Sequence, residues 1–560
     1  MKIFAKIIGS AVAFIVLLFI LFLAYLNWGL QPDVPKLKDK TALDLVRKNY
    51  PDSLYKINKN WLKRNDTGWW EEYVEGEPFE RGVILGKLNK DMLYSHELAF
   101  INQIKSLVPS ESYLKFLKFF IRFFNRNLEA NFPLEYKEEI YGESFSAPHE
   151  FDFIAPAYDR MLNYHAAHDI GHALQNLALV GCTSFAAWDE FSVDSGLIIG
   201  RNFDFYVGDE FAESKILLFV KPTEGYKMAM LTWPGMIGCV SGMNDQGLTV
   251  TLNAAKSDIP TAAATPISIL AREILQYAKN IDEAYAIAKK RKTFVSETLM
   301  IGSANDHKTA LIEKSPNKTA LFFSDKNKIL CSNHYQSNEF LTEENNIKNK
   351  AESASLYRFE RLKELIDTAQ KLSPQNVIDI LRDQKGKGGK DIGIGNEKAL
   401  NQLIGLHSIV FQPEKRRFWI STTPFQLGQF VCYDFDSVFA KAATLNKNEI
   451  IYTASEMIAA DPFVLSIDWT NFLTYKKWRE EIKVALKKDP KTNNMDAKKI
   501  IEFNPNYWEA YFWAGSYYLH QGQKSEAERY FKQALTKEIN DLSEVRKLNI
   551  LINECKATQP

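Results

Sequence analysis

The sequence predicts an α+β chain, and three observations carry that reading. Between residues 194 and 421, short apolar or alternating runs recur, cut by Gly, Asp and Pro, as strands require. Helical patterns interrupt them at 267–291, 354–366 and 376–381. Beyond about residue 440 the chain becomes helical and Lys-rich. At roughly 150 residues per folded unit, the 560 residues suggest about three or four units. A composition 46% hydrophobic and 25% charged excludes a mainly disordered chain. The 69 basic and 69 acidic side chains cancel, so no net positive field calls for nucleic acid. Five cysteines are too few for a disulfide scaffold.

The first element is an apolar run. Residues 7–30 carry no charge and follow Lys2 and Lys6. A helix of that length rises about 36 Å, enough to cross a ~30 Å hydrocarbon core with tilt. The run ends at Asn27-Trp28-Gly29-Leu30 without a small-x-small cleavage site, so an uncleaved anchor is expected rather than a removed signal peptide. The positive-inside tendency then puts residues 31–560 outside the cytoplasm, in a periplasmic or extracellular setting. Four segments are expected: the anchor at 1–30, a helical segment at 31–181, a catalytic domain at 182–435 and a helical region at 436–560. In the second, the basic-aromatic stretch 115–125 reads as a helix packed on a core. In the last, Tyr511, Gly515, Tyr518, Ala527, Phe531 and Ala534 fall at the spacings of a tetratricopeptide repeat (TPR). About three such units are needed for a free-standing array. This segment is therefore expected to dock on the catalytic body, with protein-partner binding as a lesser role.

The catalytic domain opens on the feature that carries chemistry. Val180-Gly181-Cys182-Thr183-Ser184 leads into strands on either side of an Asp194-Ser195-Gly196 turn, and the second ends in Gly200-Arg201-Asn202-Phe203-Asp204. Such a hairpin returns Arg201 and Asp204 beside Cys182. A turn at Gly242-Met243-Asn244-Asp245-Gln246-Gly247 then feeds a strand ending at Leu252-Asn253. Further strands are expected at 196–200, 215–221, 227–232, 247–253, 299–303 and 308–313, and a closing hairpin at 407–411 and 417–421.

In that order and spacing, these motifs resemble the cysteine branch of the Ntn (N-terminal nucleophile) hydrolases, which joins choloylglycine hydrolases, acid ceramidase-like amidases and penicillin acyltransferases. The likeness covers about residues 165–425. It implies a four-layer αββα sandwich and attack by Cys182 on the C–N bond of a linear amide, with acyl transfer from a thioester to water or an amine. It also implies that the chain cuts itself between Gly181 and Cys182. The resemblance assigns Arg201 and Asp204 to the neighbourhood of the thiol, Asn253 to the oxyanion hole, Asn333 to a strand end near the nucleophile, and Arg358 to a distal cationic role. The chemistry behind this is general. A thiol on the first residue of a chain has its own base, an α-amine with pKa about 7.7–8.0. Gly181 has no side chain to obstruct attack on its carbonyl. The 181 residues before the cut exceed any signal, so the resemblance favours self-cleaving members over simple bile-salt hydrolases. No cofactor is implied, and an N-acyl amide is the expected substrate. The remaining cysteines, Cys239, Cys331, Cys432 and Cys555, leave disulfide pairing open.

Two other readings compete. His165, His168 and His172 lie just upstream, and His168 and His172 are spaced to share one helical face, so a metal-dependent hydrolase is an alternative. Against it, Gly171 weakens the helix and no third ligand follows at the usual spacing. A membrane-anchored scaffold built on the TPR-like tail is the non-enzymatic alternative.

Overall fold

A computed structural model of the chain describes residues 32–107, 128–174, 181–205, 213–256, 264–490 and 495–557, with Leu17, Ser110, Asn125 and Arg126. Among these residues no helix is long and apolar enough to cross a membrane. The expected anchor, apart from Leu17, and nearly all of the 115–125 stretch lie outside them.

The strand-like runs pair into two sheets. One is built from β1 (Lys48–Tyr50), β2 (Leu54–Ile57), β3 (Asn60–Arg64), β4 (Trp70–Gly76), β7 (Ile216–Pro222), β8 (Met228–Thr232), β9 (Ser241–Asn244), β10 (Leu248–Ala254), β11 (Glu297–Ser303), β12 (Lys308–Lys314) and β13 (Thr319–Phe322), in that spatial order. The other holds β5 (Thr183–Ala187), β6 (Ile198–Asp204), β14 (Lys328–Cys331), β15 (Gly405–Gln412), β16 (Arg417–Ser421) and β17 (Phe430–Asp434) in the order β14-β5-β6-β15-β16-β17. Neighbouring strands run antiparallel throughout, except that β4 and β7 are parallel.

Alternation of side chains along each strand decides the layering. Ile199 and Phe203 of β6 and Ile409 and Phe411 of β15 face the larger sheet, where Gly302 of β11 meets Ile199 and Asn253 of β10 bonds Ser184, while Val250, Leu252, Leu299 and Ile301 alternate with these and turn to the far face. Phe185, Ile198 and Val410 point the other way and pack on the helices Ser355–Thr368 and Pro374–Leu381 through Leu362, Ile366, Val377 and Leu381. The helix Ile267–Tyr277 covers the far face of the larger sheet at β9 and β10. The order is therefore helix, sheet, sheet, helix.

Three expectations need correction. The segment 31–181 is not wholly helical: it supplies β1 to β4 and pairs them, through β4, to the catalytic sheet. The signal was hidden because β4 buries two adjacent acids. Glu71 accepts hydrogen bonds from Asn65 and Tyr433, and Glu72 from Asn89. The single helix expected at 267–291 is two, Ile267–Tyr277 and Ile281–Lys290, because the Asn280 side chain caps the second by accepting from the Glu283 amide. Residues just past 435 still belong to the main core, where Phe435, Val438, Ala442 and Leu445 lie, and the Trp61 indole donates to Ala442 O at 2.8 Å. A separate C-terminal core forms only farther on, around Phe472, Tyr475, Trp508 and Phe531.

The C-terminal helices Lys499–Phe503, Trp508–His520, Lys524–Ala534 and Leu542–Lys556 pack in succession and dock on the catalytic body. Asn504 makes a two-way bond with the backbone of Ile394, at 2.8 and 3.1 Å, and Glu538 binds Lys390 and Lys398. Gly302 of the larger sheet faces the smaller one, and a Cβ there would lie 2.1 Å from Ile199 Cδ1. Gly302→Ala should therefore destabilise the fold by about 1–3 kcal/mol through overpacking. Combined with Ile199→Ala it should cost less than the sum of the two changes. Urea denaturation of the two single variants and the double variant checks this, and strict additivity would contradict the packing described.

Candidate active site

The β5–β6 hairpin brings the polar residues of the first motif together. Ser184 pairs with Arg201 and Thr183 with Asn202, so the chain just before β5 lies beside the end of β6. There the Gly181 amide donates to Asp204 O at 3.0 Å. The Arg201 guanidinium lies 3.8 Å from Cys182 Sγ through Nη2. It crosses between the sheets to donate to Ser241 Oγ at 2.6 Å, to Val240 O at 3.3 Å and to Leu252 O. Its plane lies 4.2 Å from the centre of the Phe203 ring. His407 Nε2 lies 3.2 Å from Nη1 and, since arginine only donates, must accept from it.

Asn253 ends β10 opposite. Its Oδ1 accepts from Ser184 Oγ at 2.6 Å, while among the described residues Nδ2 reaches only Ser332 O, at 3.5 Å, which leaves donor capacity spare there. Asn333 follows β14 and bonds Ala254 O through Nδ2 at 2.9 Å. Its Oδ1 accepts from Arg358, which the helix Ser355–Thr368 presents and which also donates to Glu397 O at 2.8 Å. Cys182, Arg201, Asp204, Asn253, Asn333 and Arg358 are all buried; Cys182 touches Arg201, Asn333 bonds Arg358, and Asn253 bridges the two groups through Ser184 and Ser332.

Burial dominates the electrostatics. It pushes the Cys182 thiol up to about 11; Arg201 pulls against this, and Asp204 and Glu297 add to it. It also raises the Asp204 carboxyl to about 7 despite Arg358, Gln426 and Arg201. His407 is held well below its ordinary value by burial and then by Arg201 and Lys215, so it is neutral. The thiol is therefore protonated at neutral pH, and a carboxyl that titrates there lies beside it.

Two glutamines at this site carry no signal in the sequence. Gln402 donates from Nε2 to Gly181 O at 2.8 Å and to Asp204 Oδ2 at 3.3 Å, and Gln426 donates to Asp204 Oδ1 at 3.1 Å. Both come from irregular chain flanking the β15–β16 hairpin, 198 to 222 residues from their partners, and no periodicity marks them. The histidine cluster is different. His165 is fully buried on the helix Ala157–Leu174, with Nδ1 bonded to Met161 O at 2.7 Å and Nε2 accepting from the Ile237 amide at 2.9 Å. Both ring nitrogens are occupied, and burial lowers its pKa to about 4. Asp169 accepts from the Ile267 amide at the start of the next helix. The side chains of His168 and His172 lie outside the described residues. Among the described residues no group of three His, Cys, Asp or Glu side chains could hold a metal, and the five cysteines are free thiols.

Comparison with known proteins adds to this geometry. The sequence model of the acyl-coenzyme A:6-aminopenicillanic acid acyl-transferase family matches residues 192–425. This domain is of the Ntn-hydrolase superfamily. The match spans β6 to β16 and begins after Cys182. A tetratricopeptide repeat matches residues 497–529. Among curated proteins, an uncharacterized protein of Archaeoglobus fulgidus is 24% identical over 45% of this chain and 45% of its own length. Protein dcd1B of Dictyostelium discoideum is 22% identical over 45% of this chain and 51% of its own. The chain thus spans about half the length of these relatives. Among solved structures, a Caenorhabditis elegans N-acylethanolamine-hydrolyzing acid amidase ortholog aligns at 16% identity and TM-score 0.31, covering 42% of this chain and 93% of that one. The conjugated bile acid hydrolase of Clostridium perfringens aligns at 13% identity and TM-score 0.31, covering 49% and 96%.

The raised Asp204 pKa has a sign that can be measured. A carboxyl near 3.9 when unfolded and about 7 when folded stabilises the fold at low pH. That contribution is lost as pH rises through about 7. Asp204→Asn removes the titration, so its stability relative to the unmodified chain should improve between pH 5 and pH 8. Urea midpoints at the two pH values check this, and a pH-independent difference would contradict the burial argument.

Proposed function

We propose that the chain is a self-processing thiol hydrolase or acyltransferase acting on the C–N bond of linear amides. In this reading Cys182 is the nucleophile. The observation that supports it best is the contact of Cys182 Sγ with Arg201 at the hairpin end where Asp204 meets Gly181. The family match over the next 234 residues supports an enzyme of amide or acyl-transfer chemistry.

The protonation state explains why processing would matter. With its thiol near 11, Cys182 is a poor nucleophile at neutral pH. In the proposed maturation, Sγ adds to the Gly181 carbonyl carbon. The C–N bond to Cys182 breaks as its nitrogen takes up the thiol proton, and water hydrolyses the resulting thioester. The products are a Gly181 carboxylate, the free thiol and an α-amine whose ordinary pKa is about 7.7–8.0. That amine then takes the thiol proton during attack on substrate. Arg201 stabilises developing thiolate, Asp204 holds the α-ammonium, Asn253 donates to the tetrahedral oxyanion, and Arg358 orients Asn333. An N-acyl amide is the proposed substrate class, and water is the default acceptor. The chain would work outside the cytoplasm, tethered by residues 7–30; this rests on the uncharged run alone, and alkaline extraction of membranes checks it.

Mass spectrometry of purified protein should find fragments 1–181 and 182–560. The two should co-elute in gel filtration, because β4 is built into the catalytic sheet. Cys182→Ala should leave one chain of full mass and no turnover. An active protein with the Gly181–Cys182 bond whole would overturn the mechanism. Asn253→Ala should lower kcat by about 10²–10³-fold with little change in KM, the loss expected for one oxyanion donor. An unchanged kcat would remove Asn253 from that role.

A further inference from the structure

The bond proposed to break first has a donor already seated on its carbonyl. Gln402 Nε2 lies 2.8 Å from Gly181 O, and the side chain is only 2% exposed. The fit is close from both sides. A Cβ on Gly181 would lie 2.1 Å from that nitrogen and 2.6 Å from Gln402 Oε1. A side chain at position 181 would therefore have to displace the amide of Gln402 from the Gly181 carbonyl. The same nitrogen lies 3.3 Å from Asp204 Oδ2, so one side chain bridges the Gly181 carbonyl and the Asp204 carboxyl.

We infer that Gln402 is the oxyanion donor for self-cleavage, distinct from the Asn253 donor proposed for substrate turnover. The inference rests on the self-processing reading above. As Sγ bonds to the Gly181 carbon, the carbonyl π pair moves onto oxygen, and the Nε2–H bond already in place strengthens with the charge. The donor is already beside the oxygen that takes up the charge, so little reorganisation is needed to meet the oxyanion. When the carbonyl reforms, the pair returns to carbon and the Cys182 nitrogen leaves with the thiol proton. The bridge to Asp204 fixes which way the amide faces: its nitrogen end must serve both oxygens.

The test uses the full chain, produced as precursor and followed in time by mass spectrometry, with a thermal melt for each variant. Gln402→Met keeps the length and removes the donor; Gln402→Asn keeps an amide but withdraws it by one methylene, and serves if the methionine variant lacks a cooperative melt. Either should slow cleavage by on the order of 10²–10³-fold. Hydroxylamine, which intercepts a thioester once it has formed, should not restore the rate. Cleavage at the unmodified rate in a folded variant would overturn the inference while leaving the self-processing reading standing. Rapid cleavage with hydroxylamine alone would also overturn it, by moving Gln402 to thioester hydrolysis. An unmodified chain that is active yet never cut would overturn the reading beneath it instead.

Discussion

Arg201 carries its charge with no exposed surface, in the seam between two sheets. Stripping a guanidinium of water costs several kcal/mol even after relaxation. The cost is offset in part by acceptors held in fixed places: Ser241 Oγ and the carbonyls of Val240 and Leu252, all on or beside β9 and β10. The bonds join the six-stranded sheet to the eleven-stranded one at the level of the thiol. They also leave Nη2 within 3.8 Å of sulfur. The register of β5 on β6, the stacking of the sheets and the position of Cys182 must all satisfy one set of donor geometries. A slip of one residue in β6 would turn Arg201 to the outer face, among Phe185, Ile198 and Leu362.

The same burial sets the chemistry. Low dielectric keeps Cys182 a thiol and brings Asp204 into the neutral range. In the proposed mechanism, an intact chain with these values holds a latent nucleophile. A free α-amine at the same residue is the smallest change that supplies a base without a new side chain, and His407, neutral and turned to Arg201, is not poised to replace it.

Much of this was legible in the sequence, and the rest was hidden for physical reasons. The runs at 215–221, 227–232 and 308–313 differ by at most a residue or two from β7, β8 and β12, because apolar strands buried on both faces announce themselves. The hairpin uniting Cys182, Arg201 and Asp204 was legible from its turn residues. β4 was not: Glu71 and Glu72 are buried only because Tyr433, Asn65 and Asn89 come from elsewhere to bond them, and a local pattern cannot register partners up to 362 residues away. Gln402 was hidden for the same reason. A polar residue in a loop means nothing until the fold delivers the carbonyl it faces.

That loop also explains what the C-terminal helices contribute. Residues 390–402 run from the repeat-like segment to the site. At one end Asn504 holds Ile394, and Glu538 holds Lys390, Lys398 and, through its backbone carbonyl, Asn396. At the other, Glu397 O accepts from Arg358 and Gln402 donates to Gly181. An irregular chain of this length has no ladder to hold it, and fixing each residue costs about 1–2 kcal/mol of backbone entropy. Helical neighbours that bond its backbone supply the order a strand would otherwise obtain from its sheet. One repeat that cannot bury its own face buries it here against Ile394, Leu403 and Leu427, beside the loop that places the Gln402 amide on the Gly181 carbonyl. The repeat motif in this chain is therefore packed on the catalytic body, along the loop that ends at Gln402.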